Sequence, residues 1–391
     1  MKILYIADSK VFGFGGGSNG ERTWYQALVE YCTRKGDTLQ VVSLDTPFKE
    51  SFPVEVKKNR CLDIAARLCG RSSYIYWFWK KNRKRIIEYA PDIVILGRSR
   101  MGAVARDLKK FLPECQLICS FANIEYDYVE GYFANKGGLL GKAFAYLEKY
   151  CVKRDERESL RYADAAVFLT VRDLNRAKEF YNEQKSHALI LPVCIESAKK
   201  LSLSSDKKAV VFVGSLSYAA NIQALEWLIS DIWKPYFEEN KDLKLIVGGS
   251  NPTAQLEKLL KSVPNCQLHK NFSKVEDIVP VGSLMVAPIQ KGAGMKVKLA
   301  ETLSMGLMIA ASDEALAGYE NALKSDQLQS ILRANTAGEY KAAIESYMRK
   351  SSQELKMIES QNQMIWREFY SYALAHKKIG MFLDEIRSQR P

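Results

Sequence analysis

The chain has 391 residues, 47% of them hydrophobic, which is ample for two separate cores. Its formal charge is +12, and residues 1–195 hold 32 Lys+Arg against 23 Asp+Glu, so attraction for an anionic partner belongs mainly to the first half. Eight scattered cysteines and only three histidines argue against a zinc site and for free buried thiols, and no apolar run reaches the ~20 residues of a membrane span.

The opening KILYIA (2–7) reads as a strand with no apolar leader before it, so a cytoplasmic protein is expected. The loop SKVFGFGGGSNG follows, then a helix from about 20 to 35 and a strand, LQVVSL (39–44). IVILGRS (93–99) and QLICSFA (116–122) are strands with a basic helix near 102–111 between them, and AAVFLT (165–170) precedes a helix from about 172 to 182. Residues 189–208, rich in Ser and Lys, read as a linker. The alternation then restarts: AVVFVGSL (209–216), a helix over 221–233, LKLIVGG (243–249), a helix over 253–263, LMVAPI (284–289) and LMIAAS (307–312), with a helical tail from about 340. Continuous apolar strands alternating with helices predict parallel sheets covered on both faces. The expected fold is therefore α/β, with two doubly wound Rossmann-like domains facing a cleft: 1–195, 196–370, and a final helix over 371–391 crossing back to the first.

Residues 284–318 carry the clearest chemistry: a buried strand, a glycine loop with two lysines, a helix with one glutamate, and a second strand. Gly292 and Gly294, with Ala293 between them, let backbone N–H groups approach phosphate oxygens, and the helix N-terminus adds its positive dipole end. Lys296 and Lys298 supply full charge, although a helix would turn them to different sides, and Glu301 suits a ribose diol. Gly214 and Ser215, directly after a strand, are expected to line the same pocket. No Asp-x-Asp occurs, so a route through lysines and backbone N–H groups, without metal or cofactor, is expected.

The segments VVFVGSLSYAANIQALEWLISDIWKP, LKLIVGG and MVAPIQKGAGMKVKLAETLSMG, with NIEYDY (123–128) in the first half, resemble family 4 retaining glycosyltransferases of GT-B fold, in a capsule and exopolysaccharide-type subgroup with a GAGxKxKxxE loop. The resemblance implies a nucleotide-sugar donor, by family preference a UDP-sugar, held by the second domain. It implies a glycan acceptor, lipid-linked in surface polysaccharide synthesis, held by the first, with the glycine loop at the cleft. Lys296 and Glu125 become the catalytic candidates, Glu125 and Asp127 orienting the acceptor hydroxyl. The sequence departs from the family where Lys291 and Ala293 replace the turn containing the first glutamate of the usual pair, leaving only Glu301. Alternatives within the fold are a soluble acceptor or nucleotide-sugar epimerisation.

Gly15, Gly16 and Gly17, with Arg22 at the start of the next helix, suit an acceptor or phosphate loop, though Ser18 breaks the dinucleotide pattern. YIYWFWKKNRKR (74–85) places five aromatics before five cations. It reads either as an anionic-membrane contact on the inner face of the cytoplasmic membrane or as a buried helix face with a solvated basic end. The second basic stretch, 149–162, has mixed charge and reads as a surface helix. No nucleic-acid recognition motif accompanies the positive charge, so no nucleic-acid partner is expected.

Overall fold

The apolar runs form the central strands, and residues alternate between the two faces of each sheet. The computed structural model describes residues 1–12, 19–43, 60–133, 138–183, 185, 187–196, 201, 208–239, 242–272, 274–292 and 294–388. The chain divides into one unit of Met1–Cys194 with Tyr372–Pro391 and a second of Ile195–Ser371.

In the first unit the strands are β1 (Lys2–Ile6), β2 (Thr38–Val42), β3 (Ile93–Leu96), β4 (Gln116–Phe121), β5 (Ala165–Phe168) and β6 (His187–Ile190). They pair in parallel in the order β2-β1-β3-β4-β5-β6. Leu4, Ile6, Val94 and Leu96 point into one buried cluster, and Ile3, Tyr5, Ile93 and Ile95 into another on the opposite face. That period-2 division requires cover on both sides. Helices Ile75–Tyr89 and Gly102–Phe111 contribute to the first cluster. Helices Asn19–Lys35 and Tyr372–Ser388 fill the second, through Trp24, Leu28, Ile379 and Leu383.

In the second unit β7 (Ala209–Val213), β8 (Lys244–Gly249), β9 (Cys266–Lys270), β10 (Leu284–Ala287), β11 (Met308–Ala311) and β12 (Ile331–Arg333) form a parallel sheet ordered β12-β11-β10-β7-β8-β9. Helix starts are fixed by side-chain caps, as where Thr253 Oγ1 accepts the Leu256 N–H at 3.2 Å. Thr336 with Glu339, and Ser351 with Glu354, form reciprocal capping boxes. The strand order reverses between β1 and β3 in the first sheet and between β7 and β10 in the second. The loops beyond the carboxyl ends of such strands diverge and leave room for a ligand.

Two expectations are corrected, and of the two readings of 74–85 the buried helix face with a solvated basic end is the one observed. The aromatics of 74–85 are mainly core: Tyr74, Phe78 and Trp79 are buried in the first cluster, and Trp79 Nε1 donates to Asp107 Oδ2 at 2.9 Å. The i, i+4 spacing of Tyr74, Phe78 and Asn82, and of Ile75 and Trp79, sets them on the inner face of helix Ile75–Tyr89, while Lys80, Lys81, Arg83, Lys84 and Arg85 stay in water. The alternative reading of this segment, a membrane contact, thus loses its apolar half. Residues 189–190 belong to β6 rather than to a linker, because pairing with β5 satisfies their backbone. Finally, Cys61 and Cys69 are exposed free thiols, not buried ones.

Candidate active site

In the second unit, the loop after β10 leads into helix Val297–Met305 at the strand-order reversal. Gly294 has φ 65°, a left-handed conformation that favours glycine, and Lys296 occupies the helix N-cap without a side-chain cap. Lys296 Nζ donates to Gly294 O at 2.9 Å and pairs with Glu314 Oε1 at 3.1 Å. Glu314 comes from the short helix Asp313–Leu316 beyond β11. Tyr319, buried, ties the first helical turn together: its hydroxyl donates to Lys296 O at 2.7 Å and accepts the Ala300 N–H at 2.9 Å.

Lys298 is different. Its stem reaches the surface, but Nζ has no accessible area and no hydrogen-bond partner among the described residues. It lies 4.9 Å from the centroid of the Phe212 ring on β7. Burial, and then the neighbouring charge of Lys296, pull its pKa down to about 7, with Glu301 acting in the opposite sense. Glu301 itself is pushed above the usual carboxylate range by burial and by Glu276. A buried amine without an acceptor, beside a partly desolvated carboxylate, has unused capacity for an anion and for hydroxyl donors.

The neighbouring β7 ends at Val213 and is followed by Gly214 and Ser215. A Cβ on Gly249 would lie 2.1 Å from Gly214 O, so the two loops touch through backbone. Asn221 Nδ2 donates to Ser215 O at 3.0 Å and closes the turn. Gly292 stands beside Lys296, with the lysine Nζ 3.2 Å from where a Cβ would be. The sheet thus brings Gly214, Ser215, Gly292, Gly294, Lys296, Lys298 and Glu301 onto two adjacent strand ends and the helix that follows β10. Ala293 lies outside the described residues, as do Gly15, Gly16 and Gly17. Arg22 is half-buried in the first turn of helix Asn19–Lys35.

The first unit gathers a second charged group at its own strand reversal. Arg98 and Arg100 follow β3. Arg98 Nη2 pairs with Glu21 Oε1 at 2.8 Å, its Nε approaches Asp8 Oδ1 at 3.5 Å, and its Nη1 lies 4.0 Å from Glu125. Burial opposes the Arg98 charge, but Glu21, Asp8 and Glu125 together raise its pKa. Arg100 lies 3.8 Å from Glu125 and bonds Glu148, which also holds Arg67. Glu125 is therefore a buried carboxylate flanked by two guanidinium groups at more than hydrogen-bond distance. Its oxygens accept no hydrogen bond among the described residues, and burial raises its pKa while Arg100 and Arg98 hold it down. Glu156, fully buried, fixes the backbone beneath it by accepting the Glu125 and Tyr126 N–H groups at 3.0 Å each; burial pushes its pKa up to about 7. Asp127, by contrast, is taken by a bidentate Arg176, at 3.0 and 2.9 Å, and does not join Glu125. Asp8, Glu21, Arg98 and Arg100 went unnoticed in the sequence; the only hint was GRSR directly after an apolar strand.

Two doubly wound parallel-sheet units, one with a phosphate-suited loop at its strand reversal, define the architecture of the GT-B class. Comparison with known proteins agrees. Residues 207–350 match the family model described as Glycosyl transferases group 1. The fold is similar to that of WaaG, a glycosyltransferase involved in lipopolysaccharide biosynthesis, with TM-score 0.67, 15% identity, and coverage of 97% of this chain and 99% of that one. It is also similar to Anabaena HepE in complex with UDP and glucose, with TM-score 0.62, 11% identity, and coverage of 98% and 100%. A Klebsiella pneumoniae protein described as an uncharacterized 44.6 kDa protein in cps region is 22% identical over 186 residues, 45% of this chain and 46% of that protein. The chain thus spans about half the length of the curated relative it matches. No helix among the described residues is long and apolar enough to cross a membrane.

Proposed function

We propose that the chain is a glycosyltransferase that moves a sugar from a nucleotide-diphosphate donor, held by the second unit, to a glycan acceptor held by the first. The observation that carries the reading is the buried Lys298 amine, without a partner among the described residues, beside Glu301, on a loop and helix inside the stretch that matches the group 1 model. Breaking the sugar–phosphate bond leaves negative charge on the diphosphate. Lys298, Lys296 and the N-terminal end of helix Val297–Met305 meet that charge where it grows. Lys296 shares its charge between Glu314 and the ligand, and Glu301 accepts from the ribose diol. Such a set of fixed cations makes a metal unnecessary for leaving-group stabilisation.

The acceptor hydroxyl bonds to Glu125, whose oxygens have spare acceptor capacity. In the retaining course that the family resemblance implies, the hydroxyl attacks from the leaving-group face and its proton passes to the departing phosphate oxygen. Positioning and charge stabilisation then supply the rate. A UDP-sugar is favoured, in keeping with the UDP bound in HepE. A lipid-linked acceptor, in keeping with the lipopolysaccharide role of WaaG, would place the enzyme at the inner face of the cytoplasmic membrane.

A thermal-shift series with UDP, GDP and ADP tests the donor site. One of them should raise Tm, and Lys296→Ala should abolish the shift. If none of the three shifts the wild type, the donor reading is wrong.

A further inference from the structure

Helix Leu139–Tyr162 buries one side and presents the other to water. Tyr146, Tyr150, Lys153, Arg157 and Arg161 follow one another at three- and four-residue spacing, so they form a single stripe along the exposed side. The tyrosines are unusually bare, at 78% and 54% exposure. Arg157 and Arg161 hold no ion pair among the described residues, so their charge is uncompensated. Lys153, Arg154, Arg157 and Arg161 line a groove of about 400 Å³ between Tyr150 and Tyr162. Its one acid, Glu158, is already engaged by Arg71 and Arg154.

The tyrosine end adjoins helix Arg60–Leu68. Arg67 of that helix bonds Glu148, and a Cβ on Gly70, just beyond it, would lie 3.6 Å from the Tyr150 ring. This short helix turns Ile64 and Leu68 outward, at 57% and 77% exposure. Bare aliphatic and tyrosine side chains beside a row of cations, of which Arg157 and Arg161 hold no ion pair among the described residues, have complementary needs: the first want an apolar layer, the second want phosphates at its edge. A bilayer with anionic headgroups offers both at the right depth, with tyrosine at the headgroup level. A nucleic acid would answer the cations but leave Ile64 and Leu68 in water.

We propose that the exposed face of helix Leu139–Tyr162, together with Ile64 and Leu68, docks the protein on the surface of an anionic lipid bilayer. This relocates the membrane contact from 74–85, whose aromatics are core, to a helix that reads in sequence as mixed charge only. It does not depend on the donor-site reading, because it concerns a different face and a different ligand.

The test is cosedimentation of the full chain with vesicles of phosphatidylcholine alone or mixed with phosphatidylglycerol. The wild type should bind only the mixed vesicles, and raised salt should weaken it. Lys153→Gln/Arg157→Gln/Arg161→Gln should lower partitioning roughly 100-fold, at about fivefold per cation. Lys80→Gln/Lys81→Gln/Lys84→Gln, on helix Ile75–Tyr89, should stay within about twofold. Tyr146→Ser/Tyr150→Ser should leave only weak binding that salt abolishes. Should the triple variant fail to fold, Arg157→Glu alone should lose roughly 25-fold. A UDP thermal shift kept by the variants would show that the donor site is unaffected. No binding of the wild type at low salt would overturn the proposal, as would wild-type binding by the first triple variant. So would loss confined to the 80/81/84 variant, or affinity for duplex DNA equal to that for the vesicles.

Discussion

Replacing Lys298 by Met should make the unliganded protein more stable. The Nζ has no accessible surface and no acceptor among the described residues, and it lies against the Phe212 ring within the field of a second lysine. With a pKa near 7 in the fold against 10.5 when unfolded, the amine costs the folded state about 4 kcal/mol at pH 7. Methionine fills a similar volume and needs no partner. Allowing for imperfect packing, the gain is about 2–4 kcal/mol, or roughly 5–15 °C in Tm for a unit of this size. The sign can be checked with pH. Between about pH 7 and 10.5 the unfolded chain holds more protons at this site than the folded one, so wild-type stability rises across that window. The gap to Lys298→Met is largest at pH 7 and below, and closes toward pH 10.5. Calorimetry of both proteins at pH 7 and 10, with and without UDP, provides the measurement. The variant should also lose the UDP-induced shift, since it exchanges ligand charge for stability. A variant less stable than wild type at pH 7, or a gap unchanged at pH 10, would refute the reasoning.

Gly249→Ala forces its Cβ to within 2.1 Å of Gly214 O. It should cost about 1–3 kcal/mol by overpacking and weaken the nucleotide-induced thermal shift, both read in one melting series. Trp79→Ala removes a fully buried indole and its bond to Asp107, and should cost about 3–5 kcal/mol by urea unfolding; a surface membrane contact would instead tolerate it.

What the sequence disclosed and what it hid follow the burial of each element. Strands in the sheet interiors, such as IVIL of β3 and LMVA of β10, are covered on both faces and appear as unbroken apolar runs. The three strands not anticipated in full, β6, β9 and β12, all lie at sheet edges. CQLHK of β9 has no fully buried residue, so its pairing with β8 leaves little trace in composition. The donor-side cluster was readable because one loop and one helix carry most of it. The acceptor-side cluster was not, because Asp8, Glu21, Arg98 and Glu125 come from four separate segments that only the sheet order brings together. The stretch 74–85 shows a different difficulty. The helical spacing of Tyr74, Phe78 and Asn82 pointed inward, while the adjoining cations drew attention outward.

The closing helix Tyr372–Ser388 has a consequence for how the protein is made. It completes the core beneath the first sheet with Ile379, Phe382 and Leu383, and it ties to the chain's beginning where Arg387 joins Asp37, which also holds the Met1 amino group. During synthesis, residues 195–371 emerge as an uninterrupted stretch, with all their own core residues, before helix Tyr372–Ser388 follows. The first unit must wait, with the Trp24 and Leu28 face uncovered, until helix Tyr372–Ser388 has left the ribosome. The unit whose strands come first in this sequence is therefore the one completed later, and a stop within helix Tyr372–Ser388 injures that unit while leaving the second whole.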